Sequence, residues 1–239
     1  MTPARATVLV VDDEPLLRDI LSEWLEFEGY RVLTAEDGED ALRVMETNPV
    51  EAIVTDVRMP KMDGLTFLKE LHRSGNSVPP AILVSGHTAI APREAYGLGV
   101  EAILSKPFTA DQLVSAVRHV FTRREELWRG SAEAAVRQDL QATFATVAGA
   151  RQDGKLAFGR GGFCVSAIAN FIEGPLRFAL HFSEDELRIA GLGMVRWSES
   201  GEGQIGVEIL CLEAECLELG SVLAQGASSY IPRTCVFDR

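Results

Sequence analysis

At 239 residues the chain fits one large domain or two of ordinary size. It is 46% hydrophobic and 24% charged, which excludes a disordered chain. No apolar run approaches the ~20 residues of a membrane span. The net charge of −12 is evenly spread: residues 1–124 carry 13 basic and 19 acidic side chains, and residues 125–239 carry 10 and 16. Neither half has the basic field of a nucleic-acid binder, so no DNA or RNA partner is expected. The first residues, Met1-Thr2-Pro3-Ala4-Arg5, carry no signal-peptide core, which points to the cytoplasm. Cys164, Cys211, Cys216 and Cys235 sit in apolar company without CxxC spacing, so small buried thiols are expected, with neither zinc nor a disulfide.

Val8-Leu9-Val10-Val11 is a continuous apolar run, as in a strand buried on both faces, and it ends in Asp12-Asp13-Glu14. Pro15 suits a first helical turn, and Leu16, Leu17, Ile20, Leu21, Trp24 and Leu25 recur at helical spacing until Gly29. Residues 31–35 predict a second strand, 40–46 a second helix, and Ala52-Ile53-Val54 a third strand running into Asp56. Pro60 has no amide for a ladder, so Asp56 stands where that strand leaves its sheet. Leu65 to His72 predicts a third helix, and 80–84 a fourth strand ending at Ser85-Gly86. Residues 88–98 predict a short or irregular helix around Pro92, and 102–104 a fifth strand before Ser105-Lys106-Pro107. A last helix carries Leu113, Val117 and Val120.

Five alternations of strand and helix predict a parallel sheet covered on both faces. Right-handed crossovers bring every strand's carboxyl end to one edge, where such sheets bind ligands. Asp12, Asp13, Asp56, Ser85 and Lys106 all lie at those ends and are expected to share one cleft. Taken singly, Asp12 and Asp13 read equally well as helix caps and Asp56 as the start of a turn.

With these residues in place, residues 6–122 resemble the receiver domain of two-component response regulators. The resemblance rests on the acidic pair Asp12-Asp13, on Asp56 in Asp-Val-Arg-Met-Pro with Asp63-Gly64 after it, on Ser85 and on Lys106-Pro107. It implies a flavodoxin-like (βα)5 fold, phosphorylation of Asp56 by a histidine kinase, Mg²⁺ held by Asp12, Asp13 and Asp56, and a phosphate met by Ser85 and Lys106. Three converging carboxylates repel, and a hard cation with oxygen ligands relieves that repulsion. Two positions depart from the pattern: Ile103 stands where an aromatic often swings with the hydroxyl residue, and Pro92, Gly97 and Gly99 break up the fourth helix. Tyr96 is the nearest aromatic and is read as packing. Arg58 and His87 occupy the positions that tune dephosphorylation, and His87 is given no catalytic role.

Residues 123–140 read as a helical linker, the last receiver helix running to Gly130-Ser131 and a second patch covering Ala132 to Leu140. Such an arm can couple two domains or pair with a second copy as a homodimer. Residues 141–239 change texture. Residues 163–168, 176–182, 187–191, 194–197 and 205–210 read as short strands between turn segments, and 213–229 as a closing helix. A small antiparallel barrel or sandwich is expected.

Gly161-Gly162-Phe163, Val195-Arg196-Trp197 and Gly206-Val207-Glu208-Ile209 make this half similar to a PilZ domain, a barrel family that often binds cyclic di-GMP. The family's ligand motifs are missing. Ala157 and Gly159 stand where an acidic or amide residue and a serine belong, and neither Arg137 nor Arg151 has a partner arginine four residues away. Arg160 alone is left to meet a phosphate. The resemblance thus implies a barrel used for contact with an unnamed downstream protein; the alternative is a cyclic di-GMP receptor under receiver control. No metabolic enzyme is expected, since the only convergent polar cleft is already assigned.

Overall fold

The computed structural model describes residues 6–74, 78–86, 92–122, 126, 128–129, 136–159, 161–166, 171–198, 203–218, 220 and 233–235. The chain divides into two compact units, residues 1–121 with 234–239, and residues 122–233.

In the first unit, strands β1 (Thr7–Val11), β2 (Arg31–Ala35), β3 (Ala52–Asp56), β4 (Ala81–Ser85) and β5 (Val100–Ser105) alternate with helices α1 (Pro15–Phe27), α2 (Gly38–Thr47), α3 (Gly64–Arg73), α4 (Pro92–Gly97) and α5 (Ala110–Phe121). The strands lie in the order β5-β4-β3-β1-β2, and their pairings are parallel. Alternate residues face opposite ways, so one sequence builds two cores. Leu9, Val11, Ile53, Leu83 and Ile103 pack with Ala41, Phe67 and Leu68 of α2 and α3. Val8, Val10, Val54, Ile82 and Leu104 pack with Leu21, Leu25, Leu113 and Val117 of α1 and α5. The expected doubly wound sheet is therefore observed. Ile103 is an ordinary member of the first of these cores, beside Ala95 and Leu98. Pro92 opens α4, where its missing amide costs nothing, and the helix spans six residues. A short strand from the far end of the chain, β12 (Arg233–Cys235), lies beside β5.

The second unit is built on β6 (Gln138–Phe144), a short helix α6 (Val147–Gln152), β7 (Leu156–Gly159), β8 (Gly162–Ser166), β9 (Gly174–Phe182), β10 (Leu187–Ser198) and β11 (Gln204–Leu212). Their order is β6-β9-β10-β11-β8-β7. Every pairing is antiparallel except β6 with β9, and among the described residues β6 and β7 do not meet, so the sheet is a curled half-barrel. Where a small antiparallel barrel or sandwich is expected, one pair, β6 with β9, is parallel.

Three local expectations change. Residues 138–140, read as the end of a helix, open β6, whose inward residues Leu140, Ala142 and Phe144 repeat at period two. Residues 187–191 and 194–197 are one strand, β10, carried past Gly193 by a register shift against β11. Helix α5 ends at Phe121, and Thr122 bends. The expected helix at 123–125 and 130–135, most of the closing helix, His87, Arg160 and the Tyr96 side chain lie outside the described residues. The part of the closing helix that is described begins as a 3-10 turn, Ala214–Cys216.

Trp128 is buried among Phe163, Phe178, Leu180 and Val207, so this linker residue belongs to the second core. Cys164, Cys211 and Cys216 are free thiols, the last of them buried. Among the described residues, no helix is long and apolar enough to cross a membrane.

Gly162 sets the spacing between β8 and β11: a Cβ there would lie 1.9 Å from the Val207 carbonyl oxygen. Backbone cannot swing aside as a flexible side chain can. Gly162→Ala is expected to destabilise the second unit by about 1–3 kcal/mol, read from the urea midpoint of its unfolding transition.

Candidate functional site: a charged cleft at the carboxyl edge of the parallel sheet

The first unit gathers its polar strand ends at one edge. Asp12 follows β1, Asp56 ends β3, Ser85 ends β4 and Lys106 follows β5. Asp12, Asp56 and Ser85 are 1%, 7% and 5% exposed. The Lys106 ammonium lies 2.5 Å from Asp56 Oδ1 and 3.3 Å from Asp12 Oδ2, so one cation joins the ends of three strands. Burial pushes the Asp12 carboxyl above its ordinary value, against the pull of the Glu14 amide and of Lys106. Burial also works against the Lys106 ammonium, but its bond to Asp56 and the attraction of both carboxylates outweigh it and hold Lys106 above its ordinary value.

Four of the five predicted residues are thus together and buried or half-buried. Asp13, next to Asp12 in the chain, is exposed. Among the described residues, no three His, Cys, Asp or Glu side chains stand together as a ready metal group. The donor set nevertheless fits a hard cation. Two buried carboxylates share one ammonium, the Asp12 proton affinity is raised, and a third carboxylate lies one residue away.

The loop after Asp56 closes on the cleft. The Arg58 amide donates to Asp56 Oδ2 at 2.6 Å, and the Val57 amide keeps the ladder with the Val84 carbonyl. The Arg58 side chain is exposed. Asp63 caps α3 by accepting from the Thr66 amide, and the Gly64 amide donates back to the Val57 carbonyl. Two residues that sequence reasoning passed over tie this loop down. Asp37 caps α2 through the Asp40 amide and accepts from Lys61 Nζ at 2.6 Å. That bond holds the Asp37 carboxyl below its ordinary value. The signal for the cap was present, an Asp-Gly pair one residue beyond β2, but nothing local pairs position 37 with position 61.

Fold and cleft define a class: a doubly wound flavodoxin-like domain whose charged site lies at the carboxyl ends of its strands. The chain belongs to the response regulator receiver domain family of two-component systems, whose pattern matches residues 8–118. It is 36% identical over 118 residues to a probable chemotaxis protein CheY of Rhizobium etli, covering 48% of this chain and 91% of that protein. It is 34% identical over 116 residues to response regulator MprA of Mycobacterium sp. (strain KMS), covering 48% of this chain and 50% of that protein. The match therefore spans about half the length of the MprA relatives. Among solved structures, the chemotaxis protein CheY4 of Vibrio cholerae is 33% identical, with a TM-score of 0.46, over 49% of this chain and 99% of that one.

Gly64 meets the strand end that carries Asp56: a Cβ there would lie 2.2 Å from the Asp56 carbonyl oxygen and 3.0 Å from Thr55 Oγ1. Gly64→Ala is expected to cost the first unit about 1–3 kcal/mol, checked by its thermal or urea transition.

Proposed function

We infer that Asp56 accepts a phosphoryl group from a phosphohistidine of a partner histidine kinase, and that this event governs the protein's contacts with other molecules. The observation that carries the reading is the Lys106 ammonium between Asp56 and Asp12, which marks the cleft as built for anionic charge. The Arg58 amide holds Asp56 Oδ2, so Oδ1 is the attacking oxygen, freed as Lys106 turns from it to the incoming phosphoryl group. As the new oxygen–phosphorus bond forms, the phosphorus–nitrogen bond to the histidine breaks, and its electron pair leaves with the imidazole. The product is an acyl phosphate on Asp56.

Lys106 then exchanges a carboxylate partner for a phosphoryl oxygen, at little cost because it is already in the cleft. The Ser85 hydroxyl, at the end of the neighbouring strand, donates to another phosphoryl oxygen. Asp12, Asp13 and Asp56 would hold Mg²⁺, which supplies positive charge against the carboxylates and the incoming phosphoryl group. Transfer of this kind depends on positioning and electrostatics, which matches a cleft made of fixed charges.

The second unit is read as a PilZ-like output domain that contacts a downstream protein or a second copy. Its mainly antiparallel strands and the β-forming stretches around Gly162, Trp197 and Val207 support that reading. Ala157 and Gly159 in β7 offer no charge or hydroxyl to a dinucleotide, so binding of cyclic di-GMP is not part of it. The cytoplasm is the expected site of action.

Radiolabelled acetyl phosphate should label the wild-type chain, and Asp56→Asn or chelation of divalent metal should abolish the label. Undiminished labelling of Asp56→Asn would remove the acceptor assignment. Calorimetry of the full chain with cyclic di-GMP should give no binding heat; micromolar affinity would make the second unit a dinucleotide receptor.

A further inference from the structure

Lys61 adopts a conformation that its side chain alone does not favour. Its φ is +58°, in the left-handed region where glycine is at ease and lysine is not. The Lys61 ammonium meets two acidic side chains of the β2–α2 loop, Asp37 Oδ2 at 2.6 Å and Glu36 Oε1 at 3.1 Å. Asp37 is 1% exposed, and its other oxygen already caps α2. A second link runs parallel to the first, from the Gly38 amide to the Met62 carbonyl at 3.0 Å. The two loops are therefore clamped twice at adjacent residues. One of them carries the Arg58 amide that holds Asp56; the other follows β2, whose last carbonyl, that of Ala35, accepts from the Asp12 amide at 3.3 Å.

We propose that Asp37 and Lys61 are positioning residues for phosphoryl transfer, an ionic latch that holds the 57–63 loop so that the Arg58 amide keeps Asp56 in its attacking orientation. The inference rests on Asp56 being the acceptor. Neither latch residue touches the phosphoryl group; they act through the loop backbone. The left-handed turn at position 61 aims the ammonium across the gap between the loops, and the buried Asp37 carboxylate has a fixed direction because α2 holds it. Releasing the ammonium leaves the Gly38–Met62 bond as the remaining described link between the loops, and the loop gains freedom where the acceptor needs order.

Two substitutions remove the charge and spare the fold. Asn caps a helix about as well as Asp, so Asp37→Asn keeps α2 capped. Gly accepts a positive φ without strain, so Lys61→Gly keeps the turn. A purely structural role predicts that Lys61→Gly is harmless to chemistry. The latch predicts that both variants unfold cooperatively yet take label from acetyl phosphate on the order of tenfold more slowly than wild type. Lys61→Arg, which keeps the cation, should restore most of the rate. Wild-type labelling rates in either charge-removing variant would overturn the proposal, as would loss of cooperative unfolding in Asp37→Asn, which would make the pair a fold element. Asp56→Asn, run alongside, separates the two readings: label retained there removes the acceptor assignment itself, whereas label lost there and wild-type rates in the latch variants remove the latch alone.

Discussion

The first unit depends on one electrostatic arrangement, a single ammonium shared by two buried carboxylates. Asp12 and Asp56 end strands that are neighbours in the sheet, and Lys106 reaches them from a strand two places beyond Asp56. Burying like charges side by side is unfavourable, and Lys106 offsets part of that cost. Burial above all, with a smaller part from Asp56, leaves the proton affinity of Asp12 raised. A cleft held in this half-neutralised state is suited to exchange one charged partner for another, which is what a signalling site must do repeatedly.

Backbone surrounds that arrangement more than side chains do. The Arg58 amide orients Asp56, the Glu14 amide reaches Asp12, and Gly64 lets the start of α3 approach the Asp56 carbonyl more closely than any side chain allows. These contacts are local in space and distributed in sequence. Positioning of this kind is stiff because each loop is pinned by both a helix cap and a cross-loop bond. Asp37 serves α2 and Lys61 at once, so the start of a helix and the loop beyond Asp56 are held by the same carboxylate.

The second unit is organised differently. Its core is aromatic, with Phe163 edge-on to Phe178 and tilted against Phe158, and Trp128 is drawn into it from the linker. Glycines at positions 162 and 191 face backbone of the neighbouring strand β11, which permits close strand approach and a tight curl. The half-barrel carries no charged cleft to compare with that of the first unit among the described residues. Its Arg196–Glu208 pair, on neighbouring strands, is a partly buried link.

Much of this was readable from residues alone. Continuous apolar runs ending in Asp12, Asp56, Ser85 and Lys106 declared parallel strands and placed their ends at one edge, because crossover handedness leaves no other choice. Local pattern failed where two states share a pattern. Residues 138–140 suit a helix as well as a strand, and only pairing with β9 decides. Gly191 looks like a strand end until pairing with β9 and β11 carries β10 past it. The Asp37–Lys61 contact was out of reach for a different reason: two loops 24 residues apart meet only because β2 and β3 both flank β1. The sequence by itself thus determined the doubly wound unit and the identity of its charged residues, since periodicity and strand-end chemistry are local properties. Tertiary structure alone decided which carboxylates Lys106 approaches, which loop holds Asp56, and that among the described residues the second sheet curls without closing, since each depends on neighbours that the chain brings together only when it is folded.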